Sequence, residues 1–219
     1  MGQHALGNQL DAFYRGLVSR MAPDDHCKLR DTWQAMEQHG ALGRVLQPGV
    51  PAPSFALPDQ NGATVRLQDR LALGPVVVVF IRGAWCPFCT LALRAWQDAL
   101  PGLHDAGGDL LAILPQGMER CSQAAERDLL AYPVLSDRDG AVAGQYGVSV
   151  ELPEPARPVF TRLGHELPRM NADRSWRLAV PATFVVGRDG QVALADAALQ
   201  PERWLEPAEA VAAVRKLAG

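Results

Sequence analysis

The sequence predicts an α/β fold in which helices flank a mixed central sheet. Apolar runs at Val76–Ile81 and Leu110–Leu114 are typical of strands buried on both faces, and a segment of helical periodicity follows each run. Further along, Gly187-Arg-Asp-Gly-Gln191 separates two short strand patterns, which indicates a hairpin. A parallel crossover and an antiparallel hairpin together make a mixed sheet.

The composition is that of an ordinary globular chain. Its 219 residues are 48% hydrophobic and 21% charged, which is enough for one sizeable core. The net charge of -3 supplies no basic field for nucleic acid. No stretch approaches about 20 uninterrupted apolar residues, and the first residues lack the pattern of a signal peptide. We therefore expect a cytoplasmic protein with no nucleic-acid or membrane partner.

The chain divides into an N-terminal helical extension at 1–46 and a main domain at 47–219. The extension reads as two helices, the second over about Asp25–Gln38. The apolar stripe of the second helix includes Trp33 and Met36 and is expected to pack against another apolar surface. The sequence leaves open whether it covers the main domain or a second subunit of a homodimer.

The elements of the main domain follow from changes of hydrophobic period and from turn residues. A proline-rich, extended lead-in comes first. The predicted elements are, in order, the lead-in (47–62), an edge strand (Thr64–Leu67), the central strand (Val76–Ile81), a helix from the cysteines onward, a second buried strand (Leu110–Leu114), a helix (Met118–Leu130), a short strand (Pro133–Leu135), a short helix (Asp139–Tyr146), an insertion (148–179), two hairpin strands (Thr183–Val186 and Val192–Ala195) and a last helix (Pro207–Leu217).

A Trp-Cys-x-x-Cys turn, Trp85-Cys-Pro-Phe-Cys89, comes after the central strand. Pro87 stands where a first helical residue would, so a helix is expected to begin at the cysteines. The amides at a helix N-terminus stabilise an anion, and such a motif can lower a thiol pKa from ~8.5 to ~7 or below. Two intervening residues place both sulfurs on one turn, within disulfide distance. We expect Cys86 and Cys89 to be the catalytic pair.

This turn after a buried strand, together with Val180-Pro181-Ala-Thr-Phe184, resembles the thioredoxin fold. The lead-in Pro51–Gly62, the run Phe80–Cys89 and the segment Pro181–Gly190 look like the peroxiredoxin-like branch of the alkyl hydroperoxide reductase / thiol-specific antioxidant family. The resemblance covers roughly residues 47 to 197.

The resemblance implies an antioxidant oxidoreductase that reduces hydroperoxides through a dithiol/disulfide cycle, recharged by a thioredoxin or glutathione system and without a cofactor. It also implies that Pro181 forms a cis peptide bond opposite the dithiol, where Val180 receives the substrate. Trp85 would shield the dithiol and shape substrate entry, or pack the loop, and the two roles are compatible. Arg82 would either place positive charge near a thiolate or be a solvated residue at the strand end.

The chain departs from the pattern of the family's active-site loop. In that loop a proline is followed after three residues by threonine or serine, which is followed after two more residues by the cysteine. On this spacing Cys89 takes the cysteine slot, Cys86 the threonine slot and Arg82 the proline slot, while the family's arginine on the later strand falls at Pro181. In dithiol exchange, Cys86, exposed at the turn, would attack and Cys89 would resolve. In peroxide reduction, the family slot favours Cys89 as the sulfenic acid, with Cys86 condensing on it.

Three other interpretations stay open. The first is a thioredoxin-like reductase of protein disulfides, and the second is a non-catalytic binding module on the same fold. The third is a zinc-stabilised domain, but Cys27 and Cys121 are isolated and the five histidines form no spaced cluster, so we expect no metal site. Cys121 is either a distant resolving thiol or, more simply, a buried free cysteine.

Overall fold

The structure, a computed structural model, describes residues 5–218, so residues 1–4 of the predicted extension and Gly219 lie outside the described residues. The strands are β1 (Ala56–Pro58), β2 (Thr64–Arg66), β3 (Val76–Phe80), β4 (Asp109–Leu114), β5 (Val134–Ser136), β6 (Ser149–Glu151), β7 (Arg177–Ala179), β8 (Ala182–Val186) and β9 (Val192–Ala197). The helices are α1 (Leu6–Val18), α2 (Pro23–Gln38), α3 (Leu67–Leu71), α4 (Pro87–Asp105), α5 (Met118–Asp128), α6 (Ala141–Gln145), α7 (Arg157–Arg162), α8 (Leu167–Met170) and α9 (Pro207–Ala218).

The central sheet has the strand order β5-β4-β3-β8-β9. β3 pairs in parallel with β4 and antiparallel with β8, so that Val78 lies opposite Leu111 on one side and Phe184 on the other. β4 and β5 are parallel, and β8 and β9 form the predicted antiparallel hairpin. The prediction of a mixed sheet with the Val76–Ile81 run at its centre is confirmed.

Side chains of β3 alternate between two hydrophobic cores, one on each face of the sheet. Val76, Val78 and Phe80 enter the first core, to which α2, α6 and α7 also contribute. Val77 and Val79 enter the second core, which α1, α4 and α9 cover. Because both faces of β3 are buried, its sequence is a continuous apolar run rather than an alternating one.

The two N-terminal helices pack on opposite cores of the main domain. Leu6 and Leu10 of α1 are buried in the second core, and Trp33 and Met36 of α2 are buried in the first. The stripe of α2 is therefore covered by its own chain. α2 begins at Pro23, two residues before the predicted start, because proline is favoured at the first helical position.

Short elements were missed where hydrophobic periodicity cannot develop. α3 occupies part of the predicted approach to the central strand, and β1 lies in the predicted lead-in. The strand predicted at Thr64–Leu67 is present as β2, which pairs with β1 in a separate ribbon. In the insertion, β6 and β7 form a second antiparallel ribbon. The segment of chain between these two strands contains α7 and α8, helices of six and four residues. None of the helices within residues 5–218 has the length and apolar content needed to span a bilayer.

The peptide bond before Pro181 is trans, as are all peptide bonds of residues 5–218. The expectation of a cis bond, taken from the family resemblance, is wrong. The backbone on either side explains the difference: the Val180 N–H donates to the Val148 carbonyl at 2.8 Å, and the Pro181 carbonyl accepts from the Ala198 N–H at 3.1 Å. These bonds keep the chain extended from β7 into β8, and the trans form is favoured intrinsically by about 0.5–1 kcal/mol.

Candidate active site

The dithiol lies at the start of α4, as the sequence predicts. Cys86 is the N-cap residue and Pro87 the first helical residue, whose fixed φ suits that position. Cys89 lies within the first turn of the helix. Both sulfurs are free thiols, so the structure shows the reduced dithiol.

Both thiols are buried: Cys86 is 2% exposed and Cys89 1% exposed. The expectation that Cys86 is exposed at the turn is wrong, because α1 packs against this end of α4. Phe13 of α1 packs edge-on against Phe88, with ring centroids 5.0 Å apart. The sequence could predict α1 but not the surface that it covers.

The surroundings separate the pKa values of the two thiols. Burial raises the pKa of Cys86, but the hydrogen bond from the Cys89 thiol, the charge of Arg82 and the backbone N–H groups of Cys89 and Phe88 outweigh burial and lower it to about 7. Burial raises the pKa of Cys89 well above its ordinary value, and the hydrogen bond and charge of Cys86 raise it further. Cys86 is therefore the sulfur that ionises first.

Arg82 is buried beside the dithiol, with 4% of its surface exposed. Its Nη2 donates to the Leu199 carbonyl, and its Cζ lies 5.2 Å from the centroid of the Trp33 ring. Burial lowers the pKa of Arg82, whereas the sulfurs of Cys86 and Cys89 act in the opposite direction. The interpretation of Arg82 as a solvated strand-end residue is wrong, and its positive charge lies near the thiol pair.

Trp85 packs the loop and forms part of the site wall. Its ring centroid lies 4.6 Å from that of His165 and 6.3 Å from that of Phe160. Gly83 makes room for the indole, since a Cβ at this residue would meet Trp85 Nε1 at 2.5 Å, and its φ of 149° also favours glycine. His165, which the sequence did not single out, is half-buried, and burial lowers its pKa.

Gln116 and Arg127, which sequence reasoning missed, hold the dithiol loop. Gln116 Oε1 accepts from the Ala84 N–H at 2.7 Å, and its Nε2 donates to the Met170 carbonyl at 3.1 Å. Arg127 donates to the Ala84 carbonyl and to Thr90 Oγ1, both at 3.0 Å. The signal for Gln116 was its place two residues after β4, a parallel strand that neighbours β3.

A cavity of about 520 Å³ opens onto Cys86 between α1, α2 and the turn after α7. Arg82 and Trp85 also line it, whereas Cys89 is not among its described lining residues. Its walls are largely apolar, and the side chains responsible are Leu17, Val18, Met21, Leu29, Trp33, Phe88, Phe160 and Leu163. Of the four residues predicted to bind substrate, the structure brings together Arg82 and Trp85. Val180 and Pro181 lie outside the cavity lining, and Val180 is buried in the first core.

Polar contacts fix the two helices that wall the cavity. The Tyr14 hydroxyl lies 3.1 Å from His26 Nε2, which links α1 to α2. Arg162 Nε donates to Asp25 Oδ2 at 3.0 Å, which links α7 to α2. These contacts connect the helices that form the cavity walls.

The other two cysteines lie apart from this cavity. Cys121 is fully buried, and burial raises its pKa to about 12, so its thiol is protonated at neutral pH. Cys27 is exposed on α2. Within residues 5–218, no three or more His, Cys, Asp or Glu side chains gather as a metal site would require.

Comparisons with known proteins identify relatives of this chain. Peroxiredoxin Bcp of Escherichia coli (strain K12) is 40% identical over 103 residues, which make up 47% of this chain and 65% of the relative, slightly less than two-thirds of its length. A putative peroxiredoxin of Mycobacterium tuberculosis (strain H37Rv) is 29% identical over 150 residues, 68% of this chain and 84% of that protein.

Solved structures confirm the thioredoxin-like fold. The crystal structure of peroxidoxin BcpB from Mycobacterium tuberculosis is 25% identical, with a TM-score of 0.62, and the match covers 78% of this chain and 98% of that one. A peroxiredoxin-like protein from Aquifex aeolicus, 16% identical, shares the fold with a TM-score of 0.63 over 80% of this chain and 90% of its own. The model of the AhpC/TSA family matches residues 48–195, well over half of the sequence. The chain therefore belongs to the AhpC/TSA family.

Proposed function

We propose that the chain is a thiol-dependent peroxidase that reduces organic hydroperoxides. One observation carries this proposal: Cys86, whose pKa is lowered, lines a largely apolar cavity. A thiolate is the nucleophile that reduces a peroxide. Membership of the AhpC/TSA family and the similarity to a protein named peroxiredoxin support the same activity.

The chemistry needs two steps at adjacent sulfurs. The Cys86 thiolate attacks the terminal oxygen of ROOH, so an S–O bond forms, the O–O bond breaks, and the alkoxide RO⁻ leaves as ROH after it takes a proton. The Cys89 sulfur then attacks the sulfenic acid on Cys86, which forms a disulfide and releases water. A thioredoxin-type dithiol, in a reducing compartment such as the cytoplasm, would restore both thiols.

The assignment of Cys86 as the first attacking sulfur follows the geometry of the site. It does not follow the family's active-site pattern, in which Cys89 takes the cysteine position. Cys86 faces the cavity and ionises first, whereas the pKa of Cys89 is raised. Cys89 keeps its proton while Cys86 is ionised, and it stands ready as the partner for the second step. The family slot gives the opposite assignment, with Cys89 attacking first, so the two assignments are separable by experiment.

The walls of the cavity support an organic substrate over hydrogen peroxide. Apolar surface gains roughly 25 cal/mol per Å² when it leaves water, so an alkyl or aryl group would bind these walls while hydrogen peroxide would not. Leu17 and Met21 on or near α1 and Leu29 on α2 precede the part of the chain that the family model matches. We propose that the N-terminal extension supplies this preference.

The test is peroxide-dependent oxidation of NADPH in an assay coupled to thioredoxin and thioredoxin reductase, with cumene hydroperoxide as substrate. We expect turnover by the native protein and none by a Cys86→Ser/Cys89→Ser variant. Reduction of insulin disulfides without peroxide consumption would overturn the proposal in favour of a disulfide reductase.

A further inference from the structure

Reduction of a hydroperoxide consumes a proton as well as a thiolate. When the O–O bond breaks, the leaving alkoxide is a strong base, and a positioned side-chain acid lowers the barrier by protonating it. Cys89 cannot serve in this step without losing the proton that its hydrogen bond to Cys86 uses. The cavity offers another acid.

Glu202 lines the same cavity as Cys86. Its Oε2 is buried and has no hydrogen-bond partner within residues 5–218, and Glu202 forms no ion pair in that part of the chain. A buried carboxylate oxygen without a partner is costly, so such a group either holds a proton or awaits a ligand. Both alternatives suit a residue that delivers a proton to a bound substrate.

Glu202 also lines a second cavity, of about 490 Å³, with polar walls that include Asp196, Arg203 and Glu209. Glu202 therefore borders both the apolar cavity of Cys86 and a polar cavity. After Glu202 donates its proton to a substrate in the apolar cavity, it can take up a new proton from the polar cavity.

Charged groups from several elements face Glu202. Burial raises the pKa of Glu202 and Asp11 of α1 raises it as well, while its own backbone N–H, Arg82 and Arg203 lower it. On α1, the pKa of Tyr14 is raised by burial and also by Glu202. The balance at Glu202 is a raised pKa, which keeps more of the acid form near neutral pH.

We propose that Glu202 is the proton donor to the departing alkoxide, an inference that rests on the proposed peroxidase function. The thiolate of Cys86, ROOH and the carboxylic acid of Glu202 give the sulfenic acid, ROH and the carboxylate. The S–O bond forms at the terminal oxygen, which keeps its own hydrogen, and the electron pair of the O–O bond goes to RO⁻. Glu202 then regains a proton from the polar cavity.

The test compares leaving groups in the variant Glu202→Gln. tert-Butyl hydroperoxide releases a strongly basic alkoxide that needs a proton, whereas peracetic acid releases acetate, which needs none. The first oxidation step is followed by stopped-flow tryptophan fluorescence with each oxidant. We expect the variant to lose about a hundredfold in rate with tert-butyl hydroperoxide and to stay within about twofold with peracetic acid.

Controls separate a proton donor from a structural residue. Glu154→Gln changes an exposed carboxylate that is not among the described lining residues of either cavity and should leave both rates unchanged. Glu202→Asp keeps an acid and should recover part of the tert-butyl hydroperoxide rate. Equal slowing of Glu202→Gln with both oxidants, or no slowing with either, overturns the inference while leaving the peroxidase proposal in place. A native protein that reacts with neither oxidant refutes the peroxidase proposal itself.

Discussion

Cys86 accepts a hydrogen bond from the Cys89 thiol, and this contact separates the pKa values of two buried sulfurs. Burial alone would raise both values, since a thiolate is poorly solvated in an apolar site. The contact instead stabilises negative charge on Cys86 and holds the proton on Cys89. Arg82 and the start of α4 add to the effect at Cys86.

The reactivity of Cys86 should rise with pH through about 7. The pKa of this thiol is lowered to about 7, so its thiolate fraction increases tenfold per pH unit below that value and levels off above it. Rates of alkylation by iodoacetamide, followed by mass spectrometry of the modified peptide, measure this directly. A rate that keeps rising to about pH 9 would mean that the thiol is unperturbed.

Replacement of Arg82 should raise the pKa of Cys86. Arg82→Met removes the positive charge but keeps an unbranched side chain against Trp33, so we expect alkylation at neutral pH to slow by about tenfold. Arg82→Lys retains the charge and should lose less. An unchanged pKa of Cys86 in a folded Arg82→Met protein contradicts the role given to the guanidinium.

Gly83→Ala should destabilise the loop that carries the dithiol. The new Cβ would meet the Trp85 indole at 2.5 Å, and the positive φ adds backbone strain, so thermal unfolding should show a loss of about 1–3 kcal/mol. Gly102→Ala is the matched control, since no atom lies within 4 Å of its Cβ and Gly102 is inside α4. That change should stabilise by about 0.5–1 kcal/mol. Equal effects at the two positions would exclude the contact with Trp85 as the cause.

Filling the cavity should discriminate between substrates. Leu17→Trp adds bulk to a wall residue, so KM for cumene hydroperoxide should rise about tenfold while the rate with hydrogen peroxide changes little. Leu73→Trp makes the same change at a residue that is 80% exposed and should affect neither substrate. Steady-state kinetics with both peroxides measure the effect, and parallel losses for the two would place the organic substrate elsewhere.

The sequence predicts the sheet and the dithiol helix because both depend on local patterns. The apolar run of β3 and the proline after Cys86 each determine a structure within a few residues of themselves. The hairpin of β8 and β9 is signalled in the same way by its glycine-containing turn. Such features can be predicted because hydrophobic periodicity and turn residues determine structure over only a few residues.

Features that depend on distant packing could not be predicted in this way. Cys86 is buried where α1 packs against α4, and the sequence near Cys86 gives no indication of that contact. Arg82 is buried because Trp33 and the Leu199 carbonyl, both far away in sequence, receive its guanidinium. The resemblance also suggested a cis bond at Pro181. The bond is trans, and hydrogen bonds with Val148 and Ala198 keep the chain extended there.

The central claim is that Cys86 is the sulfur that attacks the peroxide. The most direct measurement treats Cys86→Ser and Cys89→Ser separately with one equivalent of cumene hydroperoxide and traps sulfenic acid with dimedone for mass spectrometry. The account predicts a dimedone adduct on Cys86 in Cys89→Ser and no adduct on Cys89 in Cys86→Ser. An adduct on Cys89 in Cys86→Ser, formed as fast as the native protein is oxidised, would contradict it.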